Sequence, residues 1–378
     1  MARRRGRSPV RRPATLAALG ALVLAACAPA AGPGGEAAPG PAFAASPLYD
    51  GKGPWAGPPG VSLRHALVLT ARDPRFGGWS GVSLGPAGAV RRLVAVSDRG
   101  YWLQATLDPV SGRLESPRLG RLGDLDGRPL LDNDRRDAEE VVLLDDGSAL
   151  VSFERDHRLW LYPPAAEGAS AGSFGSPPVA LPVPPGLDAV PENGGMEAMA
   201  RLPDGRLLIL VEGEDGAATA QGWLGQPQGP LSAATAATGA DAAPAPAPAI
   251  RWDGFRLALE DGFRVTAAAT DGTFVYIVER AFSPLAGFRT WICRLPLTAF
   301  DAPSPEVPLV ASRLVALSTP PAADNFEGLL AEPEEDGGET VLRLISDDNY
   351  NGLQRTLWIG LGVPTGGGRD GALFRPQG

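Results

Sequence analysis

Glu139-Glu140-Val141-Val142-Leu143-Leu144, then Asp145-Asp146-Gly147, then Ser148-Ala149-Leu150-Val151-Ser152-Phe153-Glu154-Arg155 is the stretch from which the fold is read. Two apolar runs flank an Asp-Gly turn signal, and acids close both ends, which is the pattern of a β-hairpin. The layout returns around Pro203-Asp204-Gly205, from Glu197 to Glu212, and again from Glu327 to Asp347. Two further copies lack the opening acid: Ser80 to Asp98-Arg99 and Val265 to Glu279-Arg280. The closing acids Asp98, Glu154, Glu212, Glu279 and Asp347 follow one another at 56, 58, 67 and 68 residues. Each period also holds two more strand candidates, such as 251–260 and 289–296. Four strands per period make a propeller blade, so the chain is expected to be an all-β propeller with five four-stranded blades, or six if an insertion hides one. The segment Val61 to Thr70 resembles the strand that precedes each hairpin and is expected to complete the last blade and close the ring.

Upstream of the repeats, Arg3, Arg4, Arg5, Arg7, Arg11 and Arg12 precede a charge-free run from Pro13 to Ala26. This is the order of an export signal. The 13 residues from Ala14 to Ala26 are too few for a bilayer span, which takes ~20 apolar residues in a helix. Leu24-Ala25-Ala26-Cys27 resembles the lipobox of bacterial lipoproteins, in which the Cys is acylated. Residues 1–26 are therefore read as a signal peptide, 27–60 as a flexible Gly/Pro/Ala tether, and 61–378 as the propeller. Such a tether lacks the apolar side chains that would offset the entropy of ordering it. Stretches at about 164–178 and about 226–249 share that composition and read as loop insertions. The expected location is the cell envelope, with the membrane reached only through the lipid anchor.

The chain carries a net charge of −9, and loss of residues 1–26 removes six arginines and no acids, leaving 28 basic against 43 acidic side chains, or −15. A surface of that sign repels nucleic acid and anionic lipid. With Cys27 acylated, Cys293 has no partner for a disulfide. Its alternating strand context reads as a buried small hydrophobe.

In an antiparallel hairpin the start of one strand lies beside the end of the next, so Glu139 meets Glu154, Glu197 meets Glu212 and Glu327 meets Asp347. Radial repetition of inner hairpins would gather these, with Asp98 and Glu279, at one mouth of the channel. Like charges so close stay ionised only with compensation. Arg99, Arg155 and Arg280 directly follow three closing acids and are candidates for it. So is Ca²⁺, a hard cation held by oxygen, with Glu327, Asp347, Asp348, Asn349 and Asn325 as the candidate ligands. A purely structural network of salt bridges remains the alternative.

Ser97-Asp98-Arg99-Gly100, Asp137-Ala138-Glu139, Phe153-Glu154-Arg155, the Glu197 and Glu212 pair, Asn325-Phe326-Glu327-Gly328, and Ser346-Asp347-Asp348-Asn349 with Gln354 and Thr356 occur in this order. Together they resemble the bacterial family called esterase-like activity of phytase, over about residues 61–363. The resemblance implies a secreted propeller with acidic active-site residues that hydrolyses phosphate or carboxylate esters. Asp98, Arg99, Glu139, Glu154, Arg155, Glu197, Glu212, Glu279, Arg280 and Glu327 are the catalytic candidates, acting as a monomer on a small anionic ester. A non-catalytic propeller that binds an envelope ligand or protein is the other class. Glu140 departs from the family, which often has Gly there.

Other motifs fail on context. Gly81-Val82-Ser83-Leu84-Gly85 has nucleophile-elbow spacing but sits inside a strand, without the helix that motif requires. Trp252-Asp253 imitates a WD repeat once only. His65 and His157 are the only histidines, which excludes a histidine metal cluster. The lipobox reading gives a direct expectation: the parent chain labels with fatty acid and fractionates with membranes, and Cys27→Ser abolishes both. A Cys27→Ser variant that stays membrane-bound, with processing unchanged, refutes it.

Overall fold

The computed structural model describes residues 43–49, 57–86, 91–164, 174–214, 216–231, 248–285, 287–317, 323–334 and 337–366. The stretch read as a signal peptide, Cys27 and most of both expected insertions lie outside them. The strands are β1 (Phe43–Pro47), β2 (Ser62–Ala71), β3 (Trp79–Leu84), β4 (Arg92–Ser97), β5 (Tyr101–Leu107), β6 (Leu114–Arg121) and β7 (Ala138–Leu143). They continue with β8 (Ala149–Phe153), β9 (Arg158–Tyr162), β10 (Val179–Leu181), β11 (Ala198–Arg201), β12 (Leu207–Leu210), β13 (Thr219–Pro227) and β14 (Ile250–Ala258). The last are β15 (Arg264–Thr270), β16 (Phe274–Ser283), β17 (Gly287–Pro296), β18 (Ser312–Leu317), β19 (Phe326–Pro333), β20 (Glu339–Ser346) and β21 (Thr356–Pro364).

They form five antiparallel sheets: β3 to β6, β7 to β10, β11 to β14, β15 to β18, and β19-β20-β21-β2-β1. The inner strands β3, β7, β11, β15 and β19 neighbour one another in a closed circle, so the molecule is a five-bladed propeller. As expected, an N-terminal strand completes the last blade: β2 pairs with β21, with Leu67 opposite Trp358. The tether reading fails for part of 27–60, because Phe43–Pro47 pairs with β2 as an additional edge strand. An apolar contact within that Gly/Pro-rich stretch explains the difference: the Phe43 ring meets Phe76 edge-on at 5.7 Å, and Phe76 meets Trp79 at 5.5 Å.

Each blade packs through both faces, which is why inner segments such as Ala149–Phe153 are buried at every position instead of alternating. Five apolar clusters fill the five gaps between blades. One joins Val94, Val96 and Trp102 to Val141, Val151 and Trp160, and another joins Trp79 and Leu93 to Ile345 and Trp358. Trp358 is fully buried, and its indole N–H donates to the Gly112 carbonyl at 2.8 Å, tying the last blade to the first. Burial of that order costs about 3–5 kcal/mol to remove when an aromatic is cut to Ala. The Ser83 hydroxyl accepts from the Leu143 N–H at 2.9 Å and so stitches two inner strands together. His65 is equally structural, buried against Trp358, with burial pushing its pKa down to about 4.

Ring closure by β2 predicts a sharp difference between two truncations. Deleting residues 1–56 removes β1 only, and should leave a cooperative melt at modestly lower temperature. Deleting residues 1–71 also bares the edge of β21 and should give an aggregating chain without a cooperative transition. Equal melting curves for the two would refute closure by β2.

Candidate active site

The acidic end of the channel is built by β-bulges. The register of four of the five inner hairpins slips by an extra residue near its start: at Ser80 in β3, at Glu139-Glu140 in β7, at Thr266 in β15 and at Glu327 in β19. A bulge breaks the alternation of faces and re-aims a side chain. Glu197 immediately precedes β11 in the corresponding place. At the closing position the backbone N–H of Asp98, Glu154 and Asp347 bonds the carbonyl of Gly78, Asp137 and Asn325, and Glu212 bonds that of Gly195. In the fourth blade the residue at this position is Arg280, opposite Arg264.

This corrects the sequence reading of Glu279. It stands one residue out of phase, points away from the mouth and is only 4% exposed. Burial pushes its pKa up to about 7, and it hydrogen-bonds the buried Cys293 thiol near Arg313. Counting back from the acid placed the fourth blade one residue short, since an acid-arginine pair ends both Phe153-Glu154-Arg155 and Val278-Glu279-Arg280.

Arg280 organises one arc of the mouth. Its guanidinium donates to Glu327 Oε1 at 2.6 Å, to Glu212 Oε1 at 3.1 Å and to Asn325 Oδ1. Arg264 adds a second pair with Glu212 at 2.7 Å. Asn325 Nδ2 donates to Glu327 Oε1 at 2.9 Å and to Asp347 Oδ2 at 3.4 Å. Burial still holds the carboxyls of Glu327 and Asp347 above the ordinary range, against the lowering effect of Arg280 on Glu327.

The other arc has little such compensation. Arg155, in the left-handed backbone region at φ 59°, pairs with Asp137 at 2.5 Å and reaches no other carboxylate by hydrogen bond. Glu139 is 7% exposed, and among the described residues its carboxylate receives no hydrogen bond and no salt bridge. Burial, then Glu197, Asp137 and Glu154, raise its pKa well above the carboxylate range. Glu154 accepts the N–H groups of Gly194 and Gly195 and shares a hydrogen bond with Glu197. Burial raises the pKa of Glu154 and the two amides oppose that rise, whereas Glu197, raised by burial and by Glu154, has no such amides and is the member of the pair held further toward the protonated form. Asp98 Oδ1 is buried without a partner, and burial, with Asp137 and Glu327 nearby, lifts its pKa to about 7. Arg99 lies over the Tyr350 ring at 3.6 Å, beside Asp98.

The structure therefore gathers Asp98, Glu139, Glu154, Glu197, Glu212, Arg280, Glu327, Asp347 and Asn325, with Arg99 and Arg155 close by. Asp348 and Asn349 serve the loop instead. Asp348 accepts from Gly78 N–H at 3.0 Å, Tyr350 N–H at 3.0 Å and Thr356 Oγ1 at 2.9 Å, and Asn349 N–H donates to Asp347 at 2.7 Å. Gly78 admits this loop, because a Cβ there would stand 2.3 Å from both Asp98 and Tyr350. Glu140 leaves the mouth free. It is wedged between the first two blades, accepting from Val82 and Val141 N–H at 3.2 and 2.8 Å, where Gly81 has no side chain to obstruct it.

Three acids whose oxygens all lie within 4.8 Å of one another, Asp137, Glu139 and Glu154, could hold a metal ion. They stand across the mouth from the ligand set expected from sequence, where Arg280 already supplies the positive charge. Asp137, Arg264 and the Gly194-Gly195 amides were not picked out as site residues. Asp137 was legible in principle, standing two residues before Glu139 as Asn325 stands before Glu327.

Among solved structures, the alpha-L-arabinofuranosidase from Lactobacillus brevis is 12% identical, with 78% of this chain and 95% of that one covered at a TM-score of 0.45. A glucose dehydrogenase is 15% identical, with 82% and 100% covered at 0.38. At these scores neither likeness bears on the chemistry. No curated protein matches the chain. The family described as "Phytase-like: Esterase-like activity of phytase" matches residues 74–350, from the approach to β3 through the loop that carries Tyr350. That span takes in every mouth carboxylate described above, and the chain belongs to this phytase-like family.

Proposed function

We propose that the chain is an exported, lipid-anchored hydrolase of a small anionic ester, acting as a monomer at the acidic mouth of its propeller. The observation that carries this reading is the division of the mouth into two arcs. Arg280 satisfies Glu212 and Glu327 on one side, while Glu139, Glu154 and Glu197 face each other on the other with no salt bridge among the described residues. A ring stabilised only by salt bridges gains nothing from an uncompensated half, because buried like charges destabilise it.

The Glu154 and Glu197 pair is suited to acid-base work. Glu197 holds a proton in position for the departing alcohol oxygen, and ionised Glu154, fixed by two backbone amides, can accept one from an attacking water. Arg99 and Arg155 stand beside the carboxylates, where they would orient the charged part of the ester. The oxygen-only trio Asp137, Glu139 and Glu154 suits a hard cation such as Ca²⁺. Bound there, the ion would supply charge compensation and polarise an ester oxygen.

Glu197→Gln keeps shape and removes the proton, so it should lower kcat by ~100-fold or more on any ester the parent hydrolyses. A panel of phosphate and carboxylate esters, with and without Ca²⁺, that shows no turnover by the parent would refute the hydrolase reading and favour a binding propeller.

Stability should report the same site. Asp98 has a folded pKa of about 7 against an ordinary 3.8, so the folded state holds this proton more tightly than the unfolded one. Its contribution is complete below pH ~4 and is lost as pH rises through ~7. In chelator the melting temperature should therefore fall between pH 5 and pH 8. Ca²⁺ at ~100 times its dissociation constant should return about 2.7 kcal/mol at pH 8, and Glu139→Gln should abolish that return. Identical melting in calcium and in chelator would eliminate the cation site.

A further inference from the structure

A cavity of about 670 Å³ lies over the third blade, on the acidic side of the ring. Two of its lining residues also serve the mouth: Gly194, whose N–H holds Glu154, and Arg264, which pairs with Glu212. The cavity is thus one residue from the proton-sharing pair. Its volume falls in the range of pockets that enclose small organic ligands, about 300–1,000 Å³.

The lining combines apolar residues, Trp223, Val211 and Val190 among them, with polar ones. Gln221 spends its amide N–H on the Gly222 and Phe255 carbonyls at 2.9 Å, which leaves its oxygen able to accept. Arg256 is exposed, and among the described residues its guanidinium has no partner. Glu214 lines the same cavity, so the local charge is balanced and a second full charge on a ligand gains little there.

We propose that this cavity is the subsite for the leaving group, a neutral ring-bearing alcohol whose ring lies on Trp223, Val211 and Val190. Its oxygen substituents accept from Arg256 or donate to Gln221. The charged half of the ester then sits at the mouth beside Arg99 and Arg155, and the scissile oxygen next to Glu197. This assignment rests on the hydrolase reading and extends it from the reacting centre to the part of the substrate that does not react.

The test uses 2-naphthol as a non-reacting probe and two esters, 2-naphthyl phosphate and methyl phosphate, on the full chain. Ala217→Trp fills the cavity without touching a mouth carboxylate, and Arg256→Ala removes its free donor. Calorimetric titration should show that the parent binds 2-naphthol and that each variant binds it about tenfold more weakly, a loss of 1.4 kcal/mol, with unchanged melting temperature. KM for 2-naphthyl phosphate should rise by a similar factor, while methyl phosphate is handled as in the parent. Probe binding blocked by Ala217→Trp supports the subsite even if neither ester is turned over, an outcome that would count against the hydrolase reading alone. A parent that does not bind 2-naphthol, variants that bind it undiminished, or KM changes equal for both esters would overturn the subsite.

Discussion

Five inner strands begin around one axis, and whatever side chain each presents there must share one confined space with the other four. Ionised carboxylates cannot be crowded in this way without a countercharge, since each removal from water and each neighbour raises the cost of holding the charge. The mouth meets that constraint in three ways. Arg280 takes a place in the ring that acids hold in the other blades and binds Glu212 and Glu327. Backbone amides of Gly194 and Gly195 hold Glu154. The remainder, Glu139, Glu197, Asp98 and Asp347, are held toward the protonated form.

The bulges make this crowding possible. A regular strand would send consecutive side chains to opposite faces, into the apolar gaps on either side of the blade. The extra residue at Glu139 and at Glu327 releases those side chains toward the axis without disturbing the faces that follow, so Val141, Leu329 and their neighbours still fill the gaps. In the fourth blade the bulged residue serves the backbone instead. Thr266 donates to the Phe326 carbonyl at 2.9 Å and links the fourth blade to the fifth.

The hairpins, their number and the closing strand were legible in the sequence because each depends on local patterning: an apolar run, a turn signal and a second run. The pairing of Glu139 with Glu154 and of Glu197 with Glu212 followed from hairpin geometry alone. What escaped was phase. Bulges leave no compositional mark, so Glu279 and Arg280 could not be told apart as the residue facing the axis. The strand Phe43–Pro47 escaped for a different reason: a short edge strand in a Gly/Pro-rich stretch is held by backbone pairing with β2 and by distant contacts such as Phe43 on Phe76, 33 positions apart. The amides of Gly194 and Gly195 are backbone groups and have no signature in residue type.

The pairing of Leu67 with Trp358 joins residues 291 positions apart. On the ribosome, β2 emerges early and has no partner until the final strand of the blade has been made, so four blades can form while the fifth waits. During that interval the edges of β2 and β21 both stand open, and pairing between two chains competes with pairing within one. Contacts at such separation also make closure the slow step of assembly. Exchange of this one strand between molecules would produce linked rings with intact mouths, so the same contact that completes the monomer is the place where the protein is most exposed to domain swapping.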